Sequence, residues 1–253
     1  MWVSPINNGV ENEEKKMKKE NRKSYKNRNL KAYHIGFVKT CQSIGIEPLT
    51  VSEGNMKYHN SEKIRFIIWN LPYKSTCPYA TDVCKKICYA KKAETAYPDC
   101  NPSRVAHFEE SKRNDFVIRM AYTILSIAMK DRTGRKVVVR IHESGDFYNL
   151  EYLKKWLDVM DMCKGANVQF LAYTKSFPFF DGRELPKNFS LRASIMEDTP
   201  SWLMDIINRN GWKTYRAVEK FNKGDKFTRC RCKDCATCKK CWSNYSDIRC
   251  EIH

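Results

Sequence analysis

The chain has 253 residues, 42% of them hydrophobic, and its 46 Lys and Arg outnumber 29 Asp and Glu to give a net charge of +17. That length and apolar content allow one sizeable core, alone or with an appendage, and no run of about 18 apolar residues is present to span a membrane, so no membrane partner is expected. A basic excess of this size attracts polyanions, with nucleic acid the commonest in a cell.

The N-terminal MWVSPINNGVENEEKK lacks the apolar stretch of a secretion signal, so a cytoplasmic location, with reduced thiols, is expected. Residues 11–32 carry nine basic and four acidic side chains and almost no large apolar residue. Residues 1–34 are therefore expected to form a flexible basic arm, followed by an α/β domain at 35–220 and a Cys-rich metal-binding tail at 221–253. The β-branched run at 64–69 predicts a first strand, after which Cys77, Cys84 and Cys88 follow with gaps of six and three residues, then Cys100. Residues 103–131 predict two helical stretches, the second capped by Asn114 and apolar at Phe116, Val117, Met120, Ile124, Leu125 and Ala128. Strands are predicted at 137–142, 168–173, 189–195 and 213–218. Between them, Leu150, Leu153, Trp156, Leu157 and Met160 repeat at helical spacing. Thr199 and Pro200 open a helix through Trp202, Leu203, Ile206 and Ile207 that Gly211 closes. Alternation of this kind predicts the α/β class: a mostly parallel sheet with covering helices, a partial (β/α) barrel.

In such folds functional groups gather after the carboxyl ends of the strands. The polar residues at those ends are His142, Glu143 and Asp146, then Tyr173 and Lys175, then Arg192 and Ser194, then Arg216. A functional rim assigns His142, Glu143, Asp146 and Lys175 to catalysis, and Tyr173, Arg192, Ser194 and Arg216 to substrate binding. The alternative is that Gly145 and Asp146 make a turn, Asn149 caps a helix, and Lys175 and Arg192 are surface charges.

Six of the twelve cysteines lie between positions 230 and 250. Cys232, Cys235, Cys238 and Cys241 have the two-residue gaps common among iron–sulfur ligands, and the same gaps form knuckles in zinc sites. Cys230, Cys250 and His253 are further donors, so Cys250 and His253 join the candidate metal ligands. Eight Lys or Arg against Asp225 and Asp234 fall between 220 and 241, which puts positive charge on the tail. Cys41 and Cys163 read as ordinary residues, the latter a buried free thiol beside an apolar helix face.

Several segments together resemble the gene product 88-like family of bacteriophage and mobile-element proteins. They are residues 49–57 (LTVSEGNMK), 76–84 (TCPYATDVC) with Cys88-Tyr-Ala-Lys91, 140–147 (RIHESGDF), 171–176 (LAYTKS), 188–192 (NFSLR), and the Cys241-Trp242 ending with His253. The resemblance covers residues 49–253, leaves the arm outside, and implies a phage or mobile-element context without naming a reaction. Cys77, Cys84 and Cys88, with Cys88-Tyr-Ala, are also similar to the cluster loops of some radical S-adenosylmethionine proteins. Three thiolates on a [4Fe–4S] cluster would leave one iron for a small-molecule ligand such as S-adenosylmethionine. The gaps here are longer than usual and no Gly-Gly-Glu segment is present, although Glu143-Ser-Gly-Asp146 lies at a suitable strand end. The alternative for this loop is a zinc or cluster staple, with Cys100 as fourth ligand.

Two functions follow. One is an iron–sulfur enzyme, radical-SAM-like, acting on nucleic acid or a nucleotide-like anion; the other is a non-catalytic nucleic-acid-binding protein stapled by zinc or iron–sulfur. The sequence leaves the oligomeric state open.

Overall fold

The computed structural model describes residues 29–55, 57–221, 227–230, 234–243 and 246–252. Residues 1–28 of the expected arm, together with Cys232 and His253, lie outside the described residues. Residues 29–43 form helix α1, so positions 29–34, grouped with the arm by composition, are helical and His34 is buried.

Seven strands make one sheet in which every pairing is parallel: β1 (Ile64–Trp69), β2 (Lys136–Ile141), β3 (Val168–Thr174), β4 (Phe189–Ile195), β5 (Thr214–Val218), β6 (Thr228–Arg229) and β7 (Ile248–Glu251), in the order β1-β2-β3-β4-β5-β7-β6. Helices α2 (Asp82–Lys86), α3 (Tyr89–Ala96), α4 (Cys100–Lys112) and α5 (Phe116–Lys130) connect β1 to β2. Then α6 (Leu150–Met162) follows β2, a 3-10 turn (Phe177–Phe180) follows β3, and α7 (Ser201–Asn210) follows β4. Two single-turn helices, α8 (Cys235–Cys238) and α9 (Lys240–Ser243), join β6 to β7. The expected strands after residue 137 are adjacent and parallel. Because the first five strands lie in chain order without reversal, the winding is that of a partial (β/α) barrel rather than a doubly wound sheet.

Local chemistry explains the element ends. Asn149 Oδ1 accepts the Tyr152 N–H at 2.8 Å to start α6, and Gly211 closes α7 at φ 64, a left-handed position that costs glycine nothing. Thr199 does not cap α7: its Oγ1 accepts the Met196 N–H at 2.8 Å, and the chain enters α7 at Pro200. Nor is Asn114 the cap of α5, which follows Asp115 without a side-chain cap bond.

Alternation along the strands gives the sheet two faces. Ile67, Trp69, Val139, Ile141, Phe170, Ala172 and Leu191 pack with Met120 and Ile124 of α5 and with Leu153 and Trp156 of α6 in the main core. The opposite face presents Phe66, Ile68, Val138 and Leu171, and a parallel sheet that exposes such a face leaves apolar area in water. Here the Cys-rich tail covers it: Cys235 and Ala236 pack on Phe66, Ile68 and Val138, Cys241 and Ile248 pack on Leu171, and Trp242 touches both groups. With β6 and β7 added to the sheet edge, the tail is an inner lining of the half-barrel. None of the described helices is long and apolar enough to cross a membrane.

One side chain locks this lining. Arg192, fully buried, donates from Nε to Cys241 O at 2.8 Å, from Nη1 to Ser246 O at 2.6 Å and from Nη2 to Lys240 O at 2.7 Å. Arg192→Met should lower stability by on the order of 3 to 5 kcal/mol, since buried acceptors left without a donor cost about 1 to 3 kcal/mol each. Arg192→Lys should recover only part of it, because an ammonium cannot reproduce the planar fork. Denaturant unfolding of the three proteins checks both statements.

Candidate functional site

The first Cys set sits where the rim argument places chemistry, on the connection leaving the carboxyl end of β1. That connection is stitched to the loop after β2. Asn70 Oδ1 accepts the N–H groups of Glu143 at 2.7 Å and Ser144 at 3.0 Å. Leu71 N donates to Ser144 O at 2.9 Å, and Asp146 N to Thr76 O at 3.1 Å. Gly145 sits inside the seam at φ 78, where an added Cβ would fall 2.6 Å from both Leu71 Cβ and Thr76 Oγ1. Cys77 follows directly. Cys84 lies in α2, whose start is held by the Thr81 hydroxyl on Cys84 N at 3.3 Å and by Asp198 on Val83 N at 2.9 Å. Cys88 precedes α3.

The three thiols share one electrostatic environment. Burial pushes the Cys77 thiol up to about 12, with Asp146 and then Cys84 and Cys88 adding to the effect. Burial also raises Cys84, against the pull of the Lys175 ammonium. Cys100, at the start of α4, is not among the groups acting on either. Among the described residues, no three His, Cys, Asp or Glu side chains converge closely enough to hold a single metal ion.

The predicted rim residues take up several different positions. His142 has φ 61 and turns toward the helices, its ring packed edge-on to Phe147 with Nε2 2.9 Å from the Tyr152 hydroxyl. Trp69 Nε1 donates to that hydroxyl at 3.0 Å, so the hydroxyl hydrogen is available for His142 Nε2. Burial, then the Arg140 charge, holds the imidazole well below its usual 6.5, and the ring is neutral. Asp146 is buried and accepts four hydrogen bonds. Its Oδ1 takes Phe147 N at 2.8 Å and the Thr174 hydroxyl, and its Oδ2 takes Lys175 N at 2.8 Å and Ser176 N at 3.2 Å. The carboxylate thereby ties the β2 loop to the end of β3. Glu143 is half-buried, with Oε1 accepting Asn55 Nδ2 at 2.6 Å and its carbonyl accepting the Tyr89 hydroxyl.

Lys175 and Ser194 are brought together, Nζ donating to Ser194 Oγ at 3.0 Å. Lys175 and Arg192 are both buried rather than surface charges. Tyr173 and Arg192 are paired neighbours on β3 and β4 and face the lining, where all three guanidinium nitrogens of Arg192 are engaged as described. Arg216 pairs with Ile195, which packs with α7, so it belongs to the opposite face.

The concave face also holds residues that the strand-end reading missed. Arg140, buried in the middle of β2, stacks its guanidinium on the Tyr173 ring at 3.9 Å, donates from Nη1 to Ile141 O at 3.3 Å, and leaves Nε buried without a partner. Tyr58 donates its hydroxyl to that of Tyr173 at 3.5 Å, and Tyr215 meets the Tyr173 ring edge-on at 4.6 Å. Lys57 stands beside the tail, its carbonyl accepting Cys235 N at 3.0 Å. A lone cation inside the apolar run Val137-Val-Val-Arg-Ile141 was the one available signal, since its parity matches Leu171 rather than a solvent face.

Gly145→Ala should cost about 1 to 3 kcal/mol through left-handed strain and contact with Leu71 and Thr76, read as a lower unfolding midpoint. His142 gives a pH signature. The unfolded chain takes up a proton near 6.5 while the buried ring does not, so the stability this residue contributes is present above that pH and falls as the pH drops below it. Unfolding measured from about pH 7.5 to about pH 5.5 should show that slope, and His142→Gln should flatten it.

Comparison with known proteins places these features in one lineage. The family model described as Gene product 88 matches residues 12–244. The Gene 88 protein of Mycobacterium phage L5 is 31% identical over 104 residues, covering 40% of this chain and 43% of that protein. The Gene 88 protein of Mycobacterium phage D29 is 30% identical over 104 residues, or 40% and 42%. The match thus spans less than half the length of these relatives. No solved structure matches the chain. On the breadth of the family match, the chain belongs to the gene product 88 family of phage proteins.

Proposed function

We propose that this chain is an iron–sulfur enzyme whose reactive cluster is held by Cys77, Cys84 and Cys88 and whose substrate is nucleic acid or a nucleotide-like anion. The observation that carries the reading is the presence of three thiols, Cys77 and Cys84 raised by burial and Cys88 close to both, on the rim loop after the first strand of a sequentially wound parallel half-barrel. Thiols raised by burial stay protonated at neutral pH and ligate only when a metal displaces their protons. Sulfur ligands of a polynuclear cluster also stand farther apart than those on one zinc, which suits the looser grouping here. Cys77, Cys84 and Cys88 would hold a [4Fe–4S] cluster, which would supply one-electron reduction, with S-adenosylmethionine the candidate co-substrate.

The chain's own residues then have defined tasks. Gly145 and Asn70 fix the loop that carries Cys77, and Asp146 fixes the strand ends that bring Lys175 beside Cys84. Lys175 supplies positive charge at the rim next to Ser194, where a substrate phosphate or carboxylate would find a donor pair. Glu143 offers the half-buried carboxylate of the same rim.

Protein purified without oxygen should be brown, contain iron and acid-labile sulfide, and lose part of both in Cys77→Ser, Cys84→Ser and Cys88→Ser variants. Reduced protein should consume S-adenosylmethionine, followed by chromatography, and the three variants should not. Colourless protein carrying zinc without sulfide would sink the reading. The net charge of +17 supports a second one, a metal-stapled nucleic-acid-binding protein without turnover. It predicts affinity that falls steeply with salt and a flatter salt slope after removal of residues 1–32, with S-adenosylmethionine untouched.

A further inference from the structure

Positive charge collects on the concave face without a carboxylate in ion-pair contact among the described residues. Lys57, Arg140 and Arg192 are all placed toward the tail thiols, and among the described residues none of the three forms an ion pair with Asp or Glu. Arg140 is 6% exposed and retains a buried, unpartnered Nε. Taking such cations out of water is costly unless an anion accompanies them, and an orphaned buried donor asks for an acceptor.

The acidic groups in reach are sulfur. Lys57 interacts with Cys230, Cys250, Cys235 and Cys241 together. Cys230 and Cys241 belong to one packed group with Leu171 and Ile248, and Cys235 joins it through Trp242. Cys230 and Cys250 follow the paired residues Arg229 and Arg249 on adjoining strands. Two tyrosines adjoin these sulfurs, Tyr173 and Tyr215 packing in the same group as Cys230 and Cys241. Donors to sulfur and nearby cations are the means by which a protein stabilises an anionic thiolate centre. Cys238 is the outlier, half-buried and in neither packed group.

We propose that Cys230, Cys235, Cys241 and Cys250 hold an iron–sulfur cluster inside the half-barrel, with Lys57 and Arg140 as its counter-charges. The four thiols surrender their protons to solvent as iron and sulfide enter, and the bound thiolate centre carries the net negative charge that the two cations lack. The site differs from the evenly spaced ligand set Cys232, Cys235, Cys238 and Cys241 because two of its members come from neighbouring strands, which spacing along the chain cannot reveal. It is independent of the rim cluster, and its test keeps the two apart.

The test uses the full chain with Cys77, Cys84 and Cys88 all changed to Ser, so that only the inner centre contributes. Reconstituted with iron and sulfide under anaerobic conditions, this protein should retain a cluster absorbance. Cys230→Ser or Cys250→Ser added to it should abolish that absorbance and its iron and sulfide, while Cys238→Ser should leave them in place. Because a ligand variant could also disturb folding, Lys57→Met and Arg140→Met supply a second readout. Each should keep the cluster and move its midpoint potential to more negative values, since loss of a nearby cation makes electron uptake harder. Loss of iron in the Cys238 variant with retention in the Cys230 and Cys250 variants overturns the assignment. So does zinc without sulfide in the parent, and an unmoved potential in both Met variants overturns the role given to the cations.

Discussion

Everything in this molecule turns on how a parallel sheet wound in one direction covers its second face. Crossover helices all fall on one side when the strand order never reverses, so α5 and α6 bury the face of Trp69, Ile141 and Phe170 and can do nothing for Phe66, Ile68 and Leu171. The tail answers that need with few residues. Trp242 bridges the two inner apolar groups, and Arg192 binds the Lys240 and Cys241 carbonyls of the one-turn helix α9 together with the Ser246 carbonyl beyond it. The lining is therefore held by hydrogen bonds from the sheet to the tail backbone as much as by apolar contact, which suits a segment rich in Lys, Cys and Asp.

Two thiol sets lie at different depths in the half-barrel. The rim set lies on a loop whose geometry is dictated by backbone bonds to the β2 loop, while the inner set is surrounded by tyrosine hydroxyls and cations. Arg140 stands between them: it faces Tyr58 and Tyr173 on one side and exerts its charge on Tyr89 and Glu143 of the rim on the other.

Much of the fold was legible because β-branched runs such as 137–141 and the capping residues Asn149 and Gly211 act locally. The strands of the tail were not legible, since Thr228–Arg229 is two residues long and Ile248–Glu251 alternates apolar and polar residues too briefly to show a period. Site reading failed in a specific way: it located strand ends and could not see orientation. His142 belongs to the helix side because its φ is positive, Asp146 ties loops together because four donors happen to converge on it, and Arg216 shares a face with Ile195 by register alone. Lys57 and Arg140 went unnoticed because their significance lies in what the tail brings to them across the whole length of the chain.

The inner lining also sets the pace at which the protein can assemble. Its contacts join positions near 60 to positions near 240, as in the Cys235 to Lys57 hydrogen bond and the Phe66 to Trp242 ring pair. Closing so long a loop forfeits chain entropy before any contact compensates for it, and topologies dominated by such distant pairings fold slowly. Until closure, the apolar inner strands stand open, an interval in which docking of the tail and aggregation compete for the same surface.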